Sequence, residues 1–227
     1  MRFENRADAG RRLAQRLLHL RGQDVVVLGL PRGGVPVAAE VARALGAPLE
    51  VIVVRKLGVP LQPEVAMGAL GEGGVRVLDA HTIHRAGVAE RELHEVEMRE
   101  SVELDARVEQ LRAGRARQRL VGRTAIVVDD GMATGSTARA ACLVARRLGA
   151  SRVVLAVPVA APDTVDSFIE ADEVICLSTP PDFAAVGHYY LDFSPTSDSE
   201  VVVLLDEAAR DRRVEVPQDP GMLDGGS

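Results

Sequence analysis

Short apolar runs that alternate with helical patterns are the feature that most constrains the fold of this chain. Runs of four to six residues recur as VVVLGL, VIVV, AIVV and VVLAV, and a helical pattern follows most of them. Strands that are apolar on both faces occur in parallel sheets that helices cover on both sides. The sequence therefore predicts an α/β fold with an open, mainly parallel sheet, whose ligands bind at the carboxyl ends of the strands.

The segment between the second and third apolar runs departs from this alternation of strands and helices. EVAMGAL (64–70) and GVRVLD (74–79) flank GEG and predict a hairpin. Residues 82 to about 120 predict one long charged helix or a kinked pair. We interpret about 60–120 as an insertion in the α/β domain. Packing on the flank of the domain is the ordinary role for such a helix, and a lid or a dimer contact is the alternative.

The remaining boundaries follow from composition. The α/β domain is expected to span 1–211, with an irregular, aromatic segment, called the hood below, at about 179–196. DSEVVVLLDEAARD predicts a last helix capped by Ser197 or Asp198. Residues 212–227 are expected to form a flexible tail.

Charge and hydropathy argue against several classes of protein. The net charge is −6, which does not favour a nucleic-acid or anionic-membrane surface. No run of about 20 apolar residues predicts a membrane span, and the opening MRFENRADAG lacks the apolar core of a secretory signal. The two cysteines are expected to be reduced core residues. We therefore expect a cytoplasmic enzyme or binding protein with small-molecule partners.

The segment AIVVDDGMATGST (125–137) carries the most specific chemistry in the chain. An apolar strand leads into Asp129 and Asp130, and a run of Gly, Ser and Thr then opens a helix. Backbone N–H groups at a helix N-terminus, together with hydroxyl donors, form an anion site. Paired carboxylates suit the two hydroxyls of a vicinal diol. The segment therefore predicts a sugar-phosphate site, whereas a single Asp in such a turn is often only a helix cap.

Two further loops are expected at the same edge of the sheet. LPRGG (30–34) follows the first strand, and LEVIVVRK (49–56) predicts a second buried strand that ends at Arg55 and Lys56. Because parallel strands place their carboxyl ends at one edge, these loops should converge on the acids. The alternative is that the three basic residues, which include Arg32, are ordinary surface charges.

The segment 125–137 resembles the phosphoribosyl-pyrophosphate (PRPP) binding motif of type I phosphoribosyltransferases: an apolar strand, two acids and then Thr-Gly-x-Thr. LPRGGVPVA, VRKLGVP and EVAMGALGEGGVRVL resemble a bacterial branch of that family, and the resemblance covers roughly residues 5–210. It implies catalytic roles for Asp129, Asp130, Arg55 and Lys56. The residues that it implies for PRPP binding are Ala133, Thr134, Gly135, Ser136, Thr137, Arg32, Gly33 and Gly34.

The resemblance also implies a reaction and a metal. Family members transfer the phosphoribosyl group from PRPP to a nitrogenous base or related amine and release pyrophosphate, as pentosyl glycosyltransferases of nucleotide metabolism. Mg²⁺ bridges the pyrophosphate and the ribose, with at most indirect help from the acids. Ala133 stands where enzymes acting on 6-oxopurines carry a carboxylate, which implies a different acceptor and leaves adenine and uracil open.

The acceptor site and the biological role remain open at the level of sequence. The hood contains Phe183, His188, Tyr189, Tyr190 and Phe193, and Tyr189 or Tyr190 is the expected contact to a base. The alternative is a small satellite core under the last helix. A PRPP- or nucleotide-sensing regulatory protein of the same fold is the alternative function, and the reverse cleavage of a nucleotide by pyrophosphate is a third. An exposed long helix and hairpin are compatible with a homodimer.

Overall fold

Two β-sheets and seven α-helices form the computed structural model, which describes residues 1–215, with side-chain burial described to residue 211. The strands are β1 Val25–Gly29, β2 Leu49–Val51, β3 Val54–Val59, β4 Gln62–Gly71, β5 Val75–Leu78, β6 Thr124–Val128, β7 Arg152–Val159 and β8 Glu173–Ser178. The helices are α1 Arg6–Leu17, α2 Gly34–Leu45, α3 Ala80–Ala86, α4 Glu90–Arg112, α5 Ser136–Arg147, α6 Pro162–Asp166 and α7 Asp198–Glu215. Short 3₁₀ helices span Leu18–Leu20 and Val186–Tyr189.

The larger sheet has the strand order β2-β1-β6-β7-β8, and every pairing in it is parallel. Alternate residues of β1 face opposite sides. Val25 and Val27 join the core beneath α1 and α2, whereas Val26 and Leu28 join the core beneath α5. The prediction of an open, mainly parallel sheet covered on both faces is therefore confirmed.

The prediction of one strand over residues 49–56 is wrong. Val51 pairs with Gly29, the last residue of β1, so the chain has no further partner in the larger sheet. It leaves that sheet and begins β3 at Val54, which pairs with β4 in a separate antiparallel sheet. Ile52 and Val53 stay buried across this break, so the apolar run gives no sign of it.

The predicted hairpin is present as β4 and β5, with Gly73 and Gly74 in the left-handed turn between them. The charged region beyond it forms a broken pair, since α3 ends at Gly87 with φ +63°. The second helix, α4, ends at Arg112 and so stops short of the expected residue 120. Ala113, which follows it, adopts φ +46°.

The last helix begins as predicted and extends further than predicted. The Ser197 hydroxyl accepts a hydrogen bond from Glu200 N at 3.2 Å, and Glu200 Oε2 accepts one from Ser197 N at 2.6 Å, which makes a capping box. Residues 212–215 continue α7, so the expected tail does not start at 212. Residues 216–227 lie outside the described part of the chain. Within residues 1–215, no helix has the length and apolar character that crossing a membrane requires.

A buried triad of charges fastens the small sheet and α4 to the larger sheet. Arg112 at the end of α4 contacts Glu50 of β2 at 3.3 Å and Glu72 of the β4–β5 turn at 2.6 Å. Gln118 N donates a further hydrogen bond to Glu50 Oε2 at 2.9 Å. Burial raises the pKa of Glu72, and the positive charge of Arg112 opposes that rise. The positive charge of the Arg112 guanidinium therefore offsets the free-energy cost of burying two carboxylates.

We expect Arg112→Met to destabilise the fold by about 3–5 kcal/mol, because two buried carboxylates lose their cation. Urea unfolding at several pH values measures this. Without Arg112 the pKa of Glu72 rises further, so the deficit is full above that raised pKa and shrinks as the pH falls through it towards 4.5. Arg99→Met, on an exposed side of the same helix, is the matched control. An equal and pH-independent loss in both variants would contradict the role of the triad.

Candidate active site

The loops after β1 and β6 lie directly against each other at the carboxyl edge of the larger sheet. Leu30 N donates a hydrogen bond to Val128 O at 2.9 Å. A methyl group on Gly33 would overlap Asp130 Oδ2, and one on Gly34 would lie 2.6 Å from Val128 O. Glycine is therefore required at both positions by close approach, and the predicted convergence of these loops is present.

The N-terminus of α5 is an open anion cradle formed by residues 133–137. Gly135 precedes the helix with φ +73°, and among the described residues no side chain caps the helix there. The Thr134 and Ser136 hydroxyls lie 3.2 Å apart, and Thr137 is exposed. Uncapped N–H groups beside hydroxyl donors are the arrangement that binds phosphate. Thr164 Oγ1 donates to Ala133 O at 2.6 Å and braces the loop from α6.

Asp129 and Asp130, called the acid pair below, each keep one oxygen open. Asp129 Oδ1 accepts a hydrogen bond from Asp130 N at 2.9 Å, and Asp130 Oδ2 accepts one from Arg6 Nε at 2.8 Å. Among the described residues, nothing donates to Asp129 Oδ2 or Asp130 Oδ1. Burial raises both pKa values, and the charge of Asp130 raises the pKa of Asp129 further. The site therefore offers two neighbouring acceptor oxygens in partly buried surroundings.

Arg6 is a site residue that the sequence does not reveal. It lies at the start of α1, 124 positions from Asp130, and the two side chains are only 12% and 15% exposed. Its hydrogen bond and charge lower the pKa of Asp130 and so oppose the effect of burial. No motif or spacing in the chain links the two residues.

Beside the cradle, two arginines line an open cleft together with Pro31 and Thr137. Arg55 comes from β3 and Arg107 from α4, so both belong to the segment between β2 and β6. This cleft also borders the loop after β1, whose Pro31–Arg32 peptide is cis. The arrangement places guanidinium groups next to the helix N-terminus, where a second anionic group would lie.

Both arginines of the cleft are paired with carboxylates. Arg55 Nη2 lies 2.9 Å from Glu103 Oε2, and Arg107 Nη2 lies 2.6 Å from Asp198 Oδ1. Arg32 is exposed, and its positive charge helps to lower the pKa of Asp198, after the larger effect of Arg107. Arg107 was not predicted, because a charged residue in a charged helix gives no distinguishing signal.

Lys56 does not lie in this cleft, contrary to the prediction that it accompanies Arg55. The two residues are neighbours on a strand, so their side chains point to opposite faces. Lys56 contacts Glu64 at 3.6 Å and lines a different groove between the β3–β4 hairpin and α4. The mistaken strand end in this region is the source of the error.

The two tyrosines of the hood differ in burial. Tyr190 is 2% exposed, packs on Phe3 with ring centroids 5.4 Å apart, and donates its hydroxyl to Asp130 O at 2.5 Å. Tyr190 therefore has no face for a base, and the satellite-core alternative describes it better. Tyr189 is partly exposed and stacks on Phe183 at 5.7 Å.

The donor atoms of the site suit a magnesium ion that takes few ligands from the protein. Within residues 1–215, no group of three or more His, Cys, Asp or Glu side chains converges on a metal position. The acid pair supplies two open oxygens of the hard type that Mg²⁺ prefers, and Mg²⁺ usually keeps several ligands from water or substrate phosphate.

The family model for the phosphoribosyl transferase domain matches residues 2–194, a range that contains the whole constellation of acids, cradle and Arg55. The chain belongs to this family. Proteins of two Mycobacterium tuberculosis strains that are named for the same family are 55% identical to it over 210 residues. That match covers 92% of this chain and 47% of theirs, so the chain spans about half the length of these curated relatives.

A crystal structure of a related protein supports the fold of this phosphoribosyl transferase domain. TT1426 from Thermus thermophilus is 47% identical and superimposes with a TM-score of 0.84. The match covers 91% of this chain and 99% of TT1426, so it includes the small antiparallel sheet and α4 as well as the larger sheet.

We expect Gly33→Ala to weaken the binding of ribose 5-phosphate about tenfold, since the new methyl must displace the Asp130 carboxyl and one accepted hydrogen bond is lost. Calorimetric titration measures the affinity. The control is Gly22→Ala, where the added carbon meets no atom within 4 Å but the φ of +79° is strained. It should lose about 1 kcal/mol of stability and no affinity. Unchanged affinity in both variants would contradict the close contact between the two loops.

Proposed function

We propose that this protein transfers the phosphoribosyl group of PRPP to a nitrogenous base or related amine and releases pyrophosphate, a reaction of nucleotide metabolism. The observation that carries the proposal is the row formed by the acid pair, the open cradle and the arginine cleft along one edge of the sheet. PRPP presents a diol, a phosphate and a pyrophosphate, and each has a matching partner in that row.

The 5-phosphate and the ribose are assigned first. The cradle of residues 133–137 provides N–H and hydroxyl donors for a phosphate. The open oxygens, Asp129 Oδ2 and Asp130 Oδ1, match the number of hydroxyl donors on the ribose. A carboxylate cannot contact a phosphate without repulsion, so the acids and the cradle serve different parts of the same ligand.

The pyrophosphate is assigned to the cleft between the two arginines and the loop after β1, which contains Gly33 and Gly34. Arg55 and Arg107 supply planar donors that suit a phosphate geometrically, and Arg32 adds an exposed charge at the loop. Their partners Glu103 and Asp198 carry less charge than pyrophosphate does. The ligand therefore competes with these carboxylates for the same guanidinium groups.

Magnesium fits beside the acid pair. Asp129 and Asp130 would hold it indirectly, through water, and it would offset negative charge on the leaving group when bound. The acids otherwise act as hydrogen-bond acceptors that orient the ribose.

The reaction joins the acceptor nitrogen to the anomeric carbon while the bond from that carbon to pyrophosphate oxygen breaks. The bonding electron pair leaves with the pyrophosphate, positive charge develops on the ribose ring, and the proton that the acceptor nitrogen loses passes to water or to the released pyrophosphate. The acid pair lies where it can stabilise that charge, and the arginines stabilise the departing anion. Ala133 offers no group that could move a proton on the acceptor, which is consistent with an acceptor other than a 6-oxopurine.

A PRPP- or nucleotide-sensing protein is the second candidate, and one observation favours it. Arg55 of β3 pairs with α4, and Arg107 of α4 pairs with α7, so an anion that breaks those pairs also changes how α4 contacts β3 and α7. Such a rearrangement is useful to a sensor, whereas a transferase requires only that the anion be bound and released.

The decisive experiment measures pyrophosphate release from PRPP with Mg²⁺ across purines, pyrimidines and simple amines. We expect release with one class of acceptor, and a loss of about a hundredfold in the Asp129→Asn/Asp130→Asn double variant, as two charge-assisted hydrogen bonds of about 1.5 kcal/mol would give. Asp163→Asn/Asp166→Asn, on the exposed side of α6, is the matched control. PRPP binding by folded wild-type protein without release across the panel would favour the sensor.

Arg107→Gln tests the pyrophosphate cleft separately. We expect the dissociation constant for magnesium pyrophosphate to rise about tenfold or more, because one charge-assisted contact is lost. Arg91→Gln changes the same charge on the same helix at a side chain that is 86% exposed, and should leave the affinity unchanged. Equal affinities of the two variants would place the pyrophosphate elsewhere.

A further inference from the structure

The N-terminal segment holds the hood as an additional strand would. Phe3 N donates to Tyr189 O at 2.8 Å, Leu191 N donates to Phe3 O at 2.8 Å, and Asp192 N donates to Glu4 O at 2.9 Å. Phe3 is fully buried beneath this contact. The hood is thus fastened to the residues that lead into α1, and Arg6 follows three positions later.

Arg6 contacts the hood and the acid pair at the same time. Its Nε donates to Asp130 Oδ2 at 2.8 Å, and its Nη1 donates to Ser194 O at 2.7 Å. The guanidinium carbon lies 4.0 Å from the centroid of the Phe193 ring. A single rigid group therefore bridges one of the two acids and the end of the hood, and a lysine could not make all of these contacts.

We propose that Arg6 is a positioning residue that couples the acid pair to the hood, so that ribose binding at Asp130 and the conformation of the hood depend on each other. This inference rests on the proposed function, since it takes Asp130 as a contact to ribose. It gives the N-terminal segment, which carries Arg6, a role in linking the sugar end of the site to the hood.

The stereochemistry of Asp130 explains how the coupling works. Arg6 donates to Oδ2, so Oδ1 is the oxygen of Asp130 that accepts no hydrogen bond from the described residues and is left for a ribose hydroxyl. A hydrogen bond that a ribose hydroxyl donates to Oδ1 shifts charge within the carboxylate. This shift changes the strength of the hydrogen bond that Oδ2 accepts from Arg6. Because linkage is reciprocal, the hood and the ribose site change each other's equilibrium by the same factor through Arg6.

The chain carries a natural reporter for the hood. It has two tyrosines and no tryptophan, and both tyrosines, Tyr189 and Tyr190, lie in the hood. Tyrosine emission therefore reports on this segment without any label. The probe is ribose 5-phosphate, which offers the diol and one phosphate, and inorganic phosphate is the comparison ligand because it requires only the cradle.

The experiment titrates wild type, Arg6→Gln, Arg6→Lys and Arg11→Gln with both ligands, by calorimetry and by tyrosine emission. In wild type we expect ribose 5-phosphate to change the tyrosine emission, and the midpoint of that titration should equal the midpoint from calorimetry. In Arg6→Gln we expect about tenfold weaker ribose 5-phosphate binding, phosphate binding within about twofold of wild type, and no emission change at saturation. Arg11→Gln, an exposed arginine of the same helix, should behave as wild type.

Rescue by the conservative variant separates positioning from simple structural damage. Arg6→Lys keeps a positive charge near Asp130, but a lysine cannot contact Asp130 Oδ2, Ser194 O and the Phe193 ring together. We therefore expect Arg6→Lys to bind ribose 5-phosphate more tightly than Arg6→Gln and to show a smaller emission change than wild type. The affinity for inorganic phosphate should be the same in both variants.

The coupling is overturned if Arg6→Gln keeps the wild-type emission response, or if wild type binds ribose 5-phosphate with silent tyrosines. An equal loss of affinity for ribose 5-phosphate and for phosphate in Arg6→Gln, with no rescue in Arg6→Lys, would likewise show that Arg6 is only a structural residue. Failure of the proposed function shows elsewhere, as folded wild-type protein that releases no pyrophosphate from PRPP with any acceptor. The two failures are distinguishable, because one lies in the comparison of Arg6→Gln with Arg11→Gln and the other in wild type alone.

Discussion

The parallel pairing of β1 with β6 is the constraint on which the site depends. Gly29 pairs with Val128, so the two strands end at the same level and their loops leave the sheet side by side. Two glycines in the first loop then allow it to lie against the acids of the second. The acid pair and the cradle lie against the loop after β1 because this register holds, and a shift by one residue would also exchange the side chains that face the two cores.

Charge balance is the second organising principle of the site. Three of its charged groups have a partner from a distant part of the chain: Asp130 has Arg6, Arg55 has Glu103, and Arg107 has Asp198. The Arg6–Asp130 pair is mostly buried, so desolvating either group alone would be costly, whereas the Arg55–Glu103 pair is largely exposed and contributes little to stability. A ligand that carries both hydroxyl donors and phosphate groups can interact with the two kinds of pair at once. Of these charged pairs, a simple anion can interact only with those of the two cleft arginines.

The parts of the structure that follow from local pattern could be predicted from the sequence. The buried strands, the cradle and the acid pair are each encoded within a dozen consecutive residues. Arg6 and Arg107 could not be found, because they reach the site through tertiary packing and their neighbours in sequence are ordinary charged residues. Lys56 was misplaced since the apolar run around Ile52 continues through a change of sheet. Tyr190 was misjudged because sequence does not distinguish an aromatic ring beneath a site from one that faces it.

The position of the buried triad determines what the inserted helix can do. Arg112 fixes the end of α4 to both sheets, and Arg107 precedes it by five residues, a rise of roughly 7.5 Å along the helix axis. Arg107 therefore belongs to a firmly anchored wall of the cleft, and large displacement of that wall would require breaking buried ion pairs. Within the described part of the chain, the opposite end of the insertion has no such anchor on the larger sheet, and Leu61 at the β3–β4 turn is 93% exposed. Moving the β3–β4 hairpin therefore breaks no buried ion pair of this triad, whereas moving the C-terminal half of α4 does.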